Sequence, residues 1–142
     1  MNRIPAKQIE VLGMVPLFAG CSRNELRSIA QLGTPVAADE GAYLTTEGKP
    51  GSEFFLVMEG TASCRVRKKE VKRFRPGGYF GELALLHGGI RTADVVALTP
   101  MDLVVFDSRE FRSILMTTPG ISVKMLANLA ERLEAANLQY TD

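Results

Sequence analysis

The chain is 142 residues long, 46% hydrophobic and 23% charged, the composition of one globular domain with room for a real core but not for two. Seventeen basic residues against sixteen acidic ones leave a net charge of +1, so no global field draws the chain to nucleic acid or to a membrane. No apolar run reaches membrane-spanning length, the first residues lack a signal-peptide core, and Cys21 and Cys64 show no metal or redox spacing, so a cytoplasmic protein with two free thiols is expected.

Taken in chain order, residues 8–13 predict a short helix, broken by the proline of Val15-Pro16-Leu17-Phe18. Ser22 followed by Glu25 reads as a capping box. Leu26, Ile29 and Ala30 give the helix that follows an apolar face, and Gly33 marks its end. From Thr34 to Phe106 the signals change to short strands punctuated by glycine, with apolar runs at 54–58, 62–66, 71–74, 95–98 and 103–106. Many short strands with glycine turns predict an antiparallel barrel or jelly roll. Ser108 is the expected N-cap of a helix to Met116, with Phe111, Ile114 and Leu115 as its apolar side. A last helix is expected to start at Pro119 with Thr118 as its cap, and Met125, Leu126, Leu129 and Leu133 recur along it at helical spacing. The whole, 1–142, reads as a single unit: helical over 1–33, β over 34–107 and helical again over 108–138.

The segment most informative about function runs from Gly77 to Ala93. Gly77-Gly78 and the pair Tyr79-Phe80 lead through Gly81 into a short apolar turn that carries one carboxylate, Glu82, and Arg91 closes the segment. Glycine permits a tight curl and close backbone approach to a bulky group. Amide groups at the start of a short helix beside an arginine fork suit a phosphate-like anion. A carboxylate beside such an anion repels it unless it serves a neighbouring hydroxyl, so phosphate and hydroxyl together point to a nucleotide. Taken singly, Arg91 reads as a surface arginine or a partner for Asp94, and Glu82 as a carboxylate favoured by the helix dipole.

Other features point to chemistry more weakly. Arg65, Arg67, Lys68, Lys69, Lys72, Arg73 and Arg75 form the densest basic run, read first as a solvated hairpin tip and second as a dock for an acidic partner or membrane phosphate. No aromatic residues interleave these charges, which argues against nucleic acid. His87 is the sole histidine and cannot assemble the multi-histidine metal centre of a barrel enzyme. With no metal site, no cofactor motif and no nucleophile–base pair, catalysis is not expected.

With the segment, the strands and the flanking helices in place, the chain resembles the cyclic nucleotide-binding domain family, over about residues 11–138. The most specific part is Phe80-Gly81-Glu82-Leu83-Ala84-Leu85-Leu86 followed by Arg91-Thr92-Ala93, which looks like the family's phosphate-binding cassette, here 80–93. The resemblance implies a mainly β fold with flanking helices: an antiparallel jelly-roll β-barrel, N-terminal helices and a C-terminal lid helix. It implies that Arg91 pairs with the cyclic phosphate and Glu82 accepts the ribose 2′-hydroxyl. The amides of Ala84 and Thr92 would donate to phosphate oxygens, and Gly81 would let the backbone near the ribose. Leu83 and Leu85, with Val66, Val71 or Phe74, would line the sugar and base, and Arg132, Leu133, Ala136 and Asn137 lie where lid contacts are made. Three departures stand out: Ile90 where the family has proline, Ser52 where it has aspartate, and Asp94 where a small hydroxyl residue is common.

The expected function is that of an intracellular cyclic nucleotide receptor, with cAMP as ligand and cGMP as second choice. It would signal through its C-terminal helix to an unidentified protein effector. The apolar stripe on that helix also leaves a homodimer open. The alternative is a protein-interaction module with the same barrel that has lost nucleotide binding, for which Ile90, Ser52 and Asp94 speak.

Overall fold

The computed structural model describes residues 6–86 and 88–140. The chain opens with α1 (Ala6–Met14), a 3-10 turn (Pro16–Phe18) and α2 (Arg23–Leu32). Eight strands follow: β1 (Thr34–Ala38), β2 (Tyr43–Thr45), β3 (Phe54–Glu59), β4 (Ala62–Val66), β5 (Lys69–Phe74), β6 (Tyr79–Phe80), β7 (Asp94–Ala97) and β8 (Met101–Phe106). The short α3 (Glu82–Leu86) lies between β6 and β7, and α4 (Ser108–Thr117) and α5 (Pro119–Tyr140) close the chain.

The strands form two four-stranded antiparallel sheets, β1-β8-β3-β6 and β2-β7-β4-β5, packed as a jelly roll. Strand β3 shows how one sequence serves two layers. Phe54, Leu56 and Met58 belong to a core shared with the helices, whereas Phe55 and Val57 belong to the core between the sheets. Both faces are buried, which is why the run Phe54-Phe55-Leu56-Val57-Met58 lacks polar alternation. The helical core is anchored by Phe18, Ile29, Phe106, Phe111 and Ile121, each at most 2% exposed, with Phe54 and Phe111 stacked 4.6 Å apart.

The Ser22 capping box forms as the sequence indicates: Ser22 Oγ accepts from the Glu25 amide at 3.1 Å and Glu25 Oε1 from the Ser22 amide at 2.8 Å. At α4 the cap is Asp107, one residue before the expected Ser108. Asp107 Oδ1 accepts from the Glu110 amide and Glu110 Oε1 from the Asp107 amide, both at 2.8 Å, a box that Ser108 is too late to close. Thr118 ends α4, its amide donating to the Ile114 carbonyl, and its own carbonyl receives the Ile121 amide at the start of α5. Pro16, expected only to break a helix, begins the 3-10 turn that buries Leu17 and Phe18.

Strand β5 is the free edge of its sheet, and its first five residues are exposed. Lysines and arginines on such an edge discourage pairing with other chains. Its register slips against β4: Cys64 faces Lys72, whereas Arg65 faces Glu70, which leaves Val71 as the extra residue of a bulge.

Candidate functional site

Arg91 is a guanidinium only 6% exposed, and burying a charge is costly unless it is bonded. Its Nη1 donates to the Glu53 carbonyl at 3.0 Å, and its Nη2 lies 3.7 Å from Glu53 Oε1. The guanidinium carbon stands 5.7 Å from the centre of the Phe55 ring. Burial pushes the Arg91 pKa below its ordinary value, and the Glu53 carboxylate draws it part of the way back. The Glu53 side chain is itself 48% exposed, so this carboxylate is a weak, solvated partner that a stronger anion can replace.

The backbone around Arg91 is fixed without the expected proline. The Arg91 amide donates to the Lys49 carbonyl, the Gly48 amide to the Arg91 carbonyl and the Gly51 amide to the Gly89 carbonyl, at 2.9, 2.9 and 2.8 Å. Ile90 bridges to Pro50. The loop before β7 is thus bonded along residues 48–51, and these bonds supply the stiffness that a fixed φ would give. Two glycines are required here. A β-carbon on Gly51 would overlap the Arg91 guanidinium, and one on Gly81, at φ +97°, would overlap the Glu53 carbonyl.

Arg91 forms one wall of a cavity of about 150 Å3. Gly81, Glu82, Leu83 and Ala84 reach it from the start of α3, and Thr92, Ala93 and Val95 from the chain after Arg91. Glu82 and Ala84 are buried at 3% and 6% exposure, while Leu83 is 41% exposed. Thr45 Oγ1 donates to the Ala93 carbonyl at 2.9 Å, which ties β2 to the end of the Arg91 loop. The structure therefore brings Gly81, Glu82, Leu83, Ala84, Arg91 and Thr92 to one cavity.

The rest of the lining differs from the expected set. Of the residues expected on the sugar and base side, Leu83 and Phe74 line the cavity and Val66 and Val71 do not, while Cys64 and Lys72 stand there as well. Lys72 is paired with Cys64 and Phe74 with Ala62, so both fall on the cavity side of β5, while Val71, the bulged residue, is left 58% exposed. Leu133 is 64% exposed on α5 and does not line the cavity. The side chains of Leu85, Arg132, Ala136 and Asn137, and all of His87, lie outside the described residues.

Glu53, which the sequence alone does not single out, places its carboxylate beside Arg91. Asp94 does not line the cavity, and its Oδ1 accepts the Glu47 amide at 2.7 Å. Tyr79 lines the cavity, and its hydroxyl accepts from Asn128 Nδ2 of α5 at 2.8 Å. Among the described residues no cluster of three or more His, Cys, Asp or Glu side chains is placed to hold a metal ion, and no helix is long and apolar enough to cross a membrane.

Residues 35–118 match the cyclic nucleotide-binding domain family. The chain belongs to that family. It is 29% identical over 133 residues to the cAMP-dependent protein kinase regulatory subunit of Schizosaccharomyces pombe, covering 93% of this chain and 31% of the relative. The chain thus spans about a third of that curated relative. Among solved structures it is similar to cAMP-bound PfPKA-R (141–441), at a TM-score of 0.84 and 26% identity, over 96% of this chain and 47% of the other. It is also similar to the regulatory subunit of a cAMP-independent protein kinase A from Trypanosoma cruzi bound to guanosine, at a TM-score of 0.78 and 28% identity, over 95% and 49%.

Proposed function

We propose that this cyclic nucleotide-binding domain is a cAMP receptor, a cytoplasmic regulatory module rather than an enzyme, with cGMP as its second ligand. The observation that carries the reading is Arg91, a buried cation on the wall of the cavity that Gly81, Glu82, Ala84 and Thr92 also line, with a weak, exposed carboxylate as its ion-pair partner. A cyclic phosphate would take over from Glu53 with bidentate, charge-assisted bonds, which is why arginine rather than lysine is wanted there. Buried Glu82 at the start of α3 would accept the ribose 2′-hydroxyl, Gly81 would admit the sugar, and the amides of Ala84 and Thr92 would donate to phosphate oxygens. Support for cAMP comes from relatives named for it; the guanosine-bound relative supports keeping guanine nucleotides in view.

The signal would leave through α5. Tyr79 touches both the cavity and Asn128, so a nucleotide that shifts Tyr79 biases the seat of that helix, by no more than its differential affinity for the two arrangements. Leu133, Arg132 and Asn137, farther along α5, would close over the base in the bound arrangement. Val123, Leu126 and Leu133 stay exposed on the same helix, a face suited to a protein effector or to a second copy of the chain.

The test is calorimetric titration of cAMP, cGMP and guanosine into refolded protein and into Arg91→Ala. Saturable binding of cAMP that Arg91→Ala weakens tenfold or more, about 1.4 kcal/mol, supports the receptor. Protein freed of co-purified nucleotide that gives no heat with any of them leaves an interaction module that has lost the ligand. Guanosine binding that is unaffected by Arg91→Ala assigns the cavity to nucleosides.

A further inference from the structure

Arg91 is also part of the wall of another cavity, of about 160 Å3, which Thr45, Thr46, Lys49, Gly51 and Glu53 line with it. Two glycines beside the guanidinium show how it is divided between the cavities. A β-carbon on Gly81, in the nucleotide cavity, would have Nη1 as its nearest guanidinium nitrogen, whereas one on Gly51, in this cavity, would meet Nε and Nη2. A guanidinium has five N–H donors. Nη1 spends one on the Glu53 carbonyl, and the 3.7 Å between Nη2 and Glu53 Oε1 is too long for a hydrogen bond. The Nε–Nη2 edge of a buried cation thus makes no hydrogen bond to a described residue.

We propose that this edge, with the Lys49 ammonium and the Thr46 hydroxyl, binds a small oxyanion of the inorganic phosphate class at a regulatory site separate from the nucleotide cavity. Two parallel N–H groups match two oxygens of such an ion, and Lys49 adds a second cation. The volume is well above the roughly 10–15 Å3 that one water needs, so an ion of several oxygens has room. Side chains must do this work, because the amides of Glu47, Gly48, Lys49 and Gly51 are spent on Asp94, Arg91, Thr46 and Gly89, and the Thr45 hydroxyl on Ala93. Glu53 is the opposing charge. Its side chain is 48% exposed and its Oε1 accepts the exposed Ser52 amide at 3.2 Å, so it lowers the affinity without filling the site. An ion on the Nε–Nη2 edge draws the guanidinium towards Gly51 and offsets its charge. It therefore weakens the hold on a cyclic phosphate, and the nucleotide weakens the ion by the same factor. The coupling rests on the nucleotide reading above, whereas the anion site does not.

The experiment adds inorganic phosphate to the ligand-free protein, with chloride holding the ionic strength constant, and follows the backbone amides by NMR. cAMP is then titrated at each phosphate concentration, in the native protein, Lys49→Gln and Lys49→Arg. Lys49 is exposed, so both variants are expected to fold. Saturable shifts of the Thr46, Lys49 and Gly51 amides are expected. The Kd for cAMP should rise by about fivefold or more and then level off, because a separate site weakens the nucleotide by a finite factor. Lys49→Gln should abolish both effects while cAMP affinity without phosphate stays within about twofold, and Lys49→Arg should keep them. A Kd that climbs in proportion to phosphate without levelling, alike in Lys49→Gln, would put the phosphate in the nucleotide cavity. No shift beyond that of chloride would leave the second cavity without an oxyanion; either result overturns the proposal. A native protein that shows the phosphate shifts but binds no cAMP loses the receptor reading and the coupling, and keeps the anion site.

Discussion

The two ends of the cavity differ in how firmly the fold holds them. Around Arg91 the guanidinium is buried, its loop is bonded along 48–51, and Gly51 and Gly81 leave no room for a side chain. Around Lys72 the wall belongs to an exposed edge strand with a bulge at Val71, and Leu83 across the cavity is 41% exposed. A site built in this way holds fixed the part that would meet phosphate and ribose, which every cyclic nucleotide shares. It leaves adjustable the part that would meet the base.

The largest expected effect separates binding from folding at the firm end. Arg91→Ala should weaken cyclic nucleotide binding by roughly 2–5 kcal/mol, since it leaves the phosphate without its counter-charge. Stability of the ligand-free protein should change far less, because removing a buried charge also removes the cost of its desolvation. Denaturant unfolding of the ligand-free variant checks this. A large loss of stability would mean that Arg91 is a structural arginine, and the contrast between the two ends would then have nothing to do with ligand.

Gly81→Ala comes next and acts on the fold. Its φ of +97° strains any side chain, and the new β-carbon meets the backbone carbonyl of Glu53, which cannot swing aside. A loss of about 1–3 kcal/mol is expected in denaturant unfolding. Gly51→Ala is the instructive counterpart, for its β-carbon meets the end of the flexible Arg91 side chain instead. The protein should therefore stay folded with little loss while binding falls by about tenfold, ~1.4 kcal/mol, as the guanidinium is displaced. Equal effects of Gly51→Ala on folding and binding would show that the Arg91 pocket cannot yield, and the firm end would be stiffer than drawn here.

What the sequence showed follows the same division. The cassette residues Gly81, Glu82 and Arg91 are legible because glycine, carboxylate and arginine at that spacing each answer a chemical need, and the structure brings them together. The Ser22 box and the run over 54–58 are legible because local hydrogen bonding and two-sided burial leave marks in adjacent residues. Strands β1, β2 and β6 are not, since their pairing is set by distant partners: β1 lies on β8, β2 on β7, and β6 is two residues long. The resemblance offers Val71 and Phe74 alike for the base side, and only the pairing of β5 with β4 shows that Phe74 faces the cavity and Val71 does not. Lys72 reads as part of a solvated hairpin tip because it lies in the densest basic run of the chain. Glu53 was passed over because its partner lies 38 positions along the chain.

The smallest effect tests the loose end alone. Glu70 on β5 accepts from Ser63 Oγ and from Arg73 Nε, each at 2.8 Å, and these bonds lower its pKa from 4.5, with Ser63 the larger cause. A carboxyl with a lowered folded pKa contributes stability above its unfolded value and loses it as pH falls through the folded one. The native protein should therefore lose a little thermal stability below about pH 4.5 that Glu70→Gln does not lose. The Glu70 side chain is 40% exposed, so screening keeps the contribution small, and added salt should shrink it further. Thermal midpoints compared between about pH 3 and pH 6 read this difference directly. A large acid transition abolished by Glu70→Gln would mean that the Ser63–Glu70–Arg73 network clamps the β4–β5 hairpin. The β5 side of the cavity would then be as firmly held as the Arg91 side.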